Sequence, residues 1–154
     1  ELAAERGLTS SRRSENNCPA EIIILDTIGE LAGLYMLSDL VYVGGSLVPI
    51  GGHNIMEPMA CGKPVLVGPH MENFRAVTEF CLDTGAIRQV EDGQTLLSHV
   101  EELLSDPILL HAMGEQGQAV IAVNQGVAIR TAEEVAKLWH PIVKDKVYIT
   151  DISK

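Results

Sequence analysis

Basic side chains are scarce in this chain. Eleven Lys and Arg stand against twenty-one Asp and Glu, a formal net charge of −10, which excludes nucleic acid and an anionic membrane surface as direct partners of this stretch. Small phosphorylated ligands stay open, because a few backbone N–H groups and one or two cations suffice to hold them. Cysteine is sparse too. Cys18, Cys61 and Cys81 lie far apart in no metal or redox spacing, a scattered set that suits a reducing compartment better than a disulfide scaffold. Aromatic residues make up only 4% of the chain. No apolar run approaches the ~20 residues that a membrane-spanning helix needs.

What is present is enough for a core. Apolar residues at 46% and charged residues at 21% of 154 describe a globular chain, about one domain in size. Residues 1–154 are therefore expected to form a single domain. The chain opens at Glu1, without a methionine and inside a helix-compatible stretch, so it is expected to be a piece of a longer protein.

Short apolar runs alternate with helical spacing over the first ninety residues or so. Residues 22–25, 40–43, 65–67 and 86–90 read as strands. Between them, helices are predicted over residues 1–6 (Gly7 as C-cap), over 31–37, over 54–61, and over a segment carrying Phe74, Val77, Thr78 and Cys81. Thr27 and Glu30 have a capping-box spacing. Residues 9–17 are polar, with an Arg12-Arg13-Ser14 cluster, and carry no predicted element. Beyond residue 90 the pattern is helical. Leu96, Leu97, Val100, Leu103 and Leu104 form one face, and Asp106-Pro107 starts a helix that Gly114 and Gly117 should weaken. A last helix spans about 128–139 before Pro141, and residues 142–154 have some strand propensity. The fold class is α/β: a Rossmann-like parallel sheet flanked by helices, with a helical C-terminal segment.

The chain is organised around residues 41–69. A strand ends in Gly44-Gly45-Ser46, and a second glycine pair, Gly51-Gly52, opens into His53-Asn54-Ile55-Met56-Glu57-Pro58. Strand, glycine-rich loop and helix start make a cradle for phosphate, since glycine lets a ligand approach the backbone and a helix start offers unpaired N–H groups. Three loops follow strands: residues 26–30, 44–54 and 68–73. In an open parallel sheet they emerge on one edge, where ligands bind. His53 and His70 could also be read as metal ligands, but no i,i+4 histidine pair or acidic cluster supports that, and no metal is expected. Asn54 and Glu57 have a capping-box spacing, so Glu57 has two readings, a cap for its own helix or a ligand contact; Glu30 has the same two.

These residues resemble the 3-deoxy-D-manno-octulosonic acid (Kdo) transferases of lipopolysaccharide synthesis. GGSLVPIGGHNIMEP at 44–58 and GKPVLVGPHMENF at 62–74 carry the resemblance. DTIGELAGLY at 26–35 is similar to the DTMGEL stretch of that family, with Ile28 where methionine is usual, and Arg12-Arg13-Ser14 is similar to the basic cluster before it. The broader Glu-Pro-x-Ala-x-Gly-x-Pro-Val pattern is shared by many glycosyltransferases of the GT-B fold.

The resemblance implies the C-terminal, donor-binding half of a GT-B enzyme that moves Kdo from CMP-Kdo to a lipid A precursor. That transfer is inverting, metal-independent and sited at the cytoplasmic face of the inner membrane. It implies donor contacts from Gly29, Glu30, Ser46, Gly51, Gly52, His53, Asn54, Glu57, His70 and Asn73, with Glu57 accepting from ribose hydroxyls and His53 donating to the phosphate or carboxylate. The general base, lipid acceptor groove and membrane contact would lie in an N-terminal domain absent here, and the first strand of the C-terminal domain, with its Pro-Arg-His motif, is expected to be missing as well. No catalytic residue and no cofactor is then expected in this chain, which alone would not catalyse transfer. Two alternatives stay open: another GT-B enzyme with a UDP donor, and a nucleotide-binding module without catalysis.

Overall fold

The computed structural model describes residues 1–15, 19–124 and 127–139. Cys18, Pro141 and residues 142–154 lie outside them. The chain divides into two compact units, Glu1–Ile121 and Ala122–Lys154; in the second, the predicted last helix is present as Val127–Trp139.

The first unit holds two parallel sheets. One pairs β1 (Ser10–Arg12) with β2 (Ile22–Ile24); the other runs β3 (Val41–Tyr42), β4 (Val65–Val67), β5 (Ile87–Gln89). Register in the larger sheet aligns Val41 with Val65 and Val65 with Ile87. The four predicted strands are found, 65–67 with its expected bounds and the other three with trimmed ends. β1 is new, because Ser-Ser-Arg carries no apolar signal and enters the sheet through main-chain pairing with β2.

β4 is the centre of the core. All three of its residues are fully buried, and successive side chains leave on opposite faces. Val65 and Val67 join Val43, Ile55, Met59, Cys81 and Ile87 on one side, while Leu66 meets Leu103 and Met113 on the other. A strand covered on both faces reads as an uninterrupted apolar run.

Helices α1 (Leu2–Glu5), α2 (Leu31–Leu37), α3 (Met56–Ala60), α4 (Arg75–Asp83), α5 (Gly93–Ser105) and α6 (Pro107–Asn124) connect and flank the strands. Several expectations are corrected. The capping box closes at Asp92 and Thr95, where side chain and backbone reciprocate at 2.8 and 3.0 Å, and not at Thr27. There the Thr27 hydroxyl donates to the Glu30 carboxylate instead, and α2 starts without a side-chain cap. Phe74 closes a 3-10 turn before α4 and packs against the core. Leu97 and Leu104 are exposed, so the inner face of α5 is Leu96, Val100 and Leu103. Gly114 and Gly117 do not interrupt α6. A Cβ on Gly114 would fall 2.2 Å from the Gly62 carbonyl oxygen, and one on Gly117 would touch Met59. These glycines let α6 approach the turn after α3.

Candidate functional site

The loops after β3 and β4 interlock at the carboxyl edge of the larger sheet. Ser46 lies at their junction, fully buried. Its hydroxyl donates to the Val43 carbonyl at 2.5 Å and accepts from the Gly68 N–H at 2.7 Å, while its carbonyl accepts from the His70 N–H at 2.9 Å. Ser46 was expected to meet the donor. Its hydroxyl is committed inside the protein, and it holds two loops together instead.

Gly51 and Gly52 are corrected in the same direction. Both are buried at positive φ (98° and 69°), a conformation glycine adopts without steric cost. The space a side chain would need is filled by protein: a Cβ on Gly51 would lie 2.4 Å from Asn73 Nδ2, and one on Gly52 would lie 2.2 Å from Met71 Sδ. The Gly52 N–H donates to the Gly45 carbonyl at 3.1 Å. Glycine here serves loop-on-loop packing, and the Gly52 amide is not offered to a ligand. Asn73 completes the contact, its N–H donating to the Gly51 carbonyl at 3.2 Å.

The surface that remains available starts at His53. His53 is exposed and Asn54 half-buried, and the amides of His53 and Asn54 have no acceptor among the described residues. The Asn54 side chain accepts from the Met56 N–H at 2.9 Å and donates to Glu57 Oε1 at 3.0 Å. This is an Asx turn with a side-chain pair, not the capping box that the Asn-x-x-Glu spacing suggests. It fixes the exposed Glu57 carboxylate by one oxygen. α3 is only five residues long, shorter than the predicted 54–61, so discrete N–H groups outweigh any macrodipole. Pro58 sits in its first turn, where a missing N–H costs least. The Tyr35 phenol lies close by, its pKa raised by burial first and then by the Glu57 carboxylate.

His70 is half-buried, with Nδ1 3.2 Å from the Glu72 carboxylate. The Glu72 pKa is lowered, by its own backbone N–H first and then by His70. The structure thus brings His53, Asn54, His70 and Asn73 onto two interlocked segments, with Glu57 in the first turn of α3 beside them. Gly29 (φ 88°) and Glu30 lie elsewhere, on the segment that leads from β2 into α2. Glu30 pairs with Arg13 at 3.2 Å and with Thr27. In the same region the Asp26 carboxylate accepts from the Ser14 hydroxyl at 2.7 Å and the Ser14 N–H at 3.0 Å.

The spacing arguments missed a hollow of about 240 Å³ beyond β4 and β5, lined by Pro69, Met71, Arg75, Thr78, Glu79 and Gln89 among others. Arg75, Thr78 and Glu79 share one turn of α4, a helical spacing that could have been read as polar facing.

The chain matches the family of glycosyl transferases group 1 over residues 12–120. It is similar to a 3-deoxy-D-manno-octulosonic acid transferase of Bordetella pertussis, 35% identical over 131 residues, 82% of this chain and 31% of that protein. A 3-deoxy-D-manno-octulosonic acid transferase of Haemophilus influenzae is 37% identical over 123 residues, 77% of this chain and 29% of that protein. The chain thus spans about a third of the length of these relatives. Among solved structures it is similar to the C-terminal CMP-Kdo binding domain of WaaA from Acinetobacter baumannii. The TM-score is 0.74 at 31% identity, covering 78% of this chain and 64% of that one. The parallel α/β architecture is that of a GT-B C-terminal half.

Proposed function

Because this chain belongs to the glycosyl transferases group 1 family, we propose that it is the donor-binding domain of an enzyme that transfers Kdo from CMP-Kdo to a lipid A precursor. The observation that carries the reading is the group formed by exposed His53, half-buried Asn54 and exposed Glu57, where a loop locked against 68–73 enters α3, in a chain similar to a CMP-Kdo binding domain.

Cleavage of the donor breaks the bond between the sugar and the CMP phosphate, so negative charge grows on the departing phosphate. In this reading the His53 and Asn54 amides, with the His53 ring, donate to that phosphate without a metal ion. Preset donors of this kind are worth about 2.7–4 kcal/mol each in comparable anion holes. Glu57, held through one oxygen by Asn54, has the other oxygen for the ribose hydroxyls. The general base and the lipid acceptor groove would come from a separate domain, at the cytoplasmic face of the inner membrane. Among the described residues no helix is long and apolar enough to cross a membrane.

Calorimetric titration of the chain with CMP, UMP and UDP tests the reading. CMP is expected to bind more tightly than the uridine nucleotides, and Glu57→Ala to weaken CMP with little change in melting temperature. A folded chain that ignores CMP, or prefers UDP, overturns it.

A further inference from the structure

The two donor loops are joined at a point that touches no exposed surface. Ser46 reaches back to Val43 at the end of β3, across to the Gly68 amide at the end of β4, and onward to His70 through its carbonyl. The backbones approach so closely there that a Cβ on Gly68 would fall 2.2 Å from the Ser46 carbonyl oxygen and 2.6 Å from the Leu47 nitrogen. A second junction lies farther out, where Asn73 donates to Gly51 and Met71 fills the space beside Gly52. Between the two junctions residues 44–52 have little freedom to slide along 68–73.

The polar groups assigned to the nucleotide follow directly from these junctions. His53 and Asn54 leave Gly52 on one loop, and the His53 ring stacks beside Gly45, about where that residue's Cβ would be in ordinary contact at 3.7 Å. His70 hangs from the other loop by the hydrogen bond to Ser46. The buried hydroxyl has acceptors in the Val43 carbonyl and, at 3.4 Å, the Tyr42 hydroxyl, and losing it leaves the Gly68 N–H unpaired in a dry interior.

We infer that Ser46 is the positioning residue of the nucleotide site. Its hydroxyl sets the register between the loop bearing His53 and Asn54 and the loop bearing His70, so both meet the donor as one preset surface. The inference rests on the donor-binding reading above, and it assigns Ser46 no contact with the ligand. Small displacements of such supports are costly because binding groups act only within a narrow geometry.

The test compares the wild-type chain, Ser46→Ala and Leu103→Val by CMP calorimetry and backbone amide exchange. Leu103 is fully buried on α5, on the other face of the sheet, and serves as a control for general destabilisation. Ser46→Ala is expected to weaken CMP roughly tenfold and to speed exchange at 44–54 and 68–73 together. Leu103→Val should lower the melting temperature and leave CMP affinity unchanged. Equal affinity in Ser46→Ala, faster exchange in one loop only, or equal weakening by Leu103→Val overturns the assignment while wild-type CMP binding still stands. Failure of the wild-type chain to bind CMP removes the donor-binding reading and this one with it. Should Ser46→Ala not fold, exchange in the wild type decides: CMP must protect both loops in parallel, and protection of 44–54 alone refutes the register.

Discussion

The two sheets of the first unit are held by different forces. In β3–β4–β5 the central strand is fully buried, and the loops above the sheet are fixed by main-chain bonds and by glycines that admit neighbouring backbone. In β1–β2 the apolar residues are half in water, Ile23 at 52% and Ile24 at 48% exposed. Its loops are tied by carboxylates: Glu21 to Thr9, Asp26 to Ser14 and Glu30 to Arg13. A site on the first kind of support is positioned by shape, and one on the second by charge. The residues assigned to phosphate and ribose sit on the first.

Three experiments would break or sharpen that contrast. The largest difference should come from truncating side chains. Leu66→Ala is expected to cost about 2–5 kcal/mol, as for other fully buried leucines, and Ile23→Ala under about 1 kcal/mol. Denaturant unfolding measures both, and comparable losses would erase the distinction. Next come two helical glycines. Gly33 on α2 has open space where a Cβ would go, so Gly33→Ala should stabilise by roughly 0.5–1 kcal/mol. Gly114→Ala should gain the same propensity and yet destabilise by about 1–3 kcal/mol, because the methyl group meets the Gly62 carbonyl. Opposite signs in the two melting curves are the expected outcome.

The smallest effect is on pH. Glu21 and Asp26 have lowered pKa values, Glu21 through the Thr9 N–H first and Asp26 through the Ser14 hydroxyl first. Their contribution is therefore complete above the ordinary carboxylate range and is lost as pH falls through the depressed values. Acid should loosen the β1–β2 loops before those of the larger sheet, and residue-resolved NMR between neutral and acid pH would follow the order. Simultaneous loosening would show that charge does not separate the two halves.

The same division decides what the amino-acid sequence discloses. β4 is legible as Val-Leu-Val between Pro64 and Gly68, because burial on both faces demands an unbroken apolar run. β1 is not, because Ser10, Ser11 and Arg12 pair only through their backbones. The Asn54–Glu57 partnership is readable from spacing, although its form, an Asx turn with a side-chain pair, is not. Ser46, Gly51 and Gly52 show the limit most clearly. Glycine and serine beside a strand suggest a ligand cradle, and only the path of residues 68–73 reveals that another loop already occupies the space.

Gly114 also sets the mutational geography of this chain. Its bare backbone rests on Gly62, and Gln118 donates at 3.4 Å to the carbonyl of Ala60, the last residue of the helix that carries Glu57. The helix of the proposed ribose contact is therefore braced from the rear. A screen for impaired nucleotide capture should return substitutions on α6 that never approach the ligand, and compensating changes should map to the 60–62 turn rather than to the loops in front.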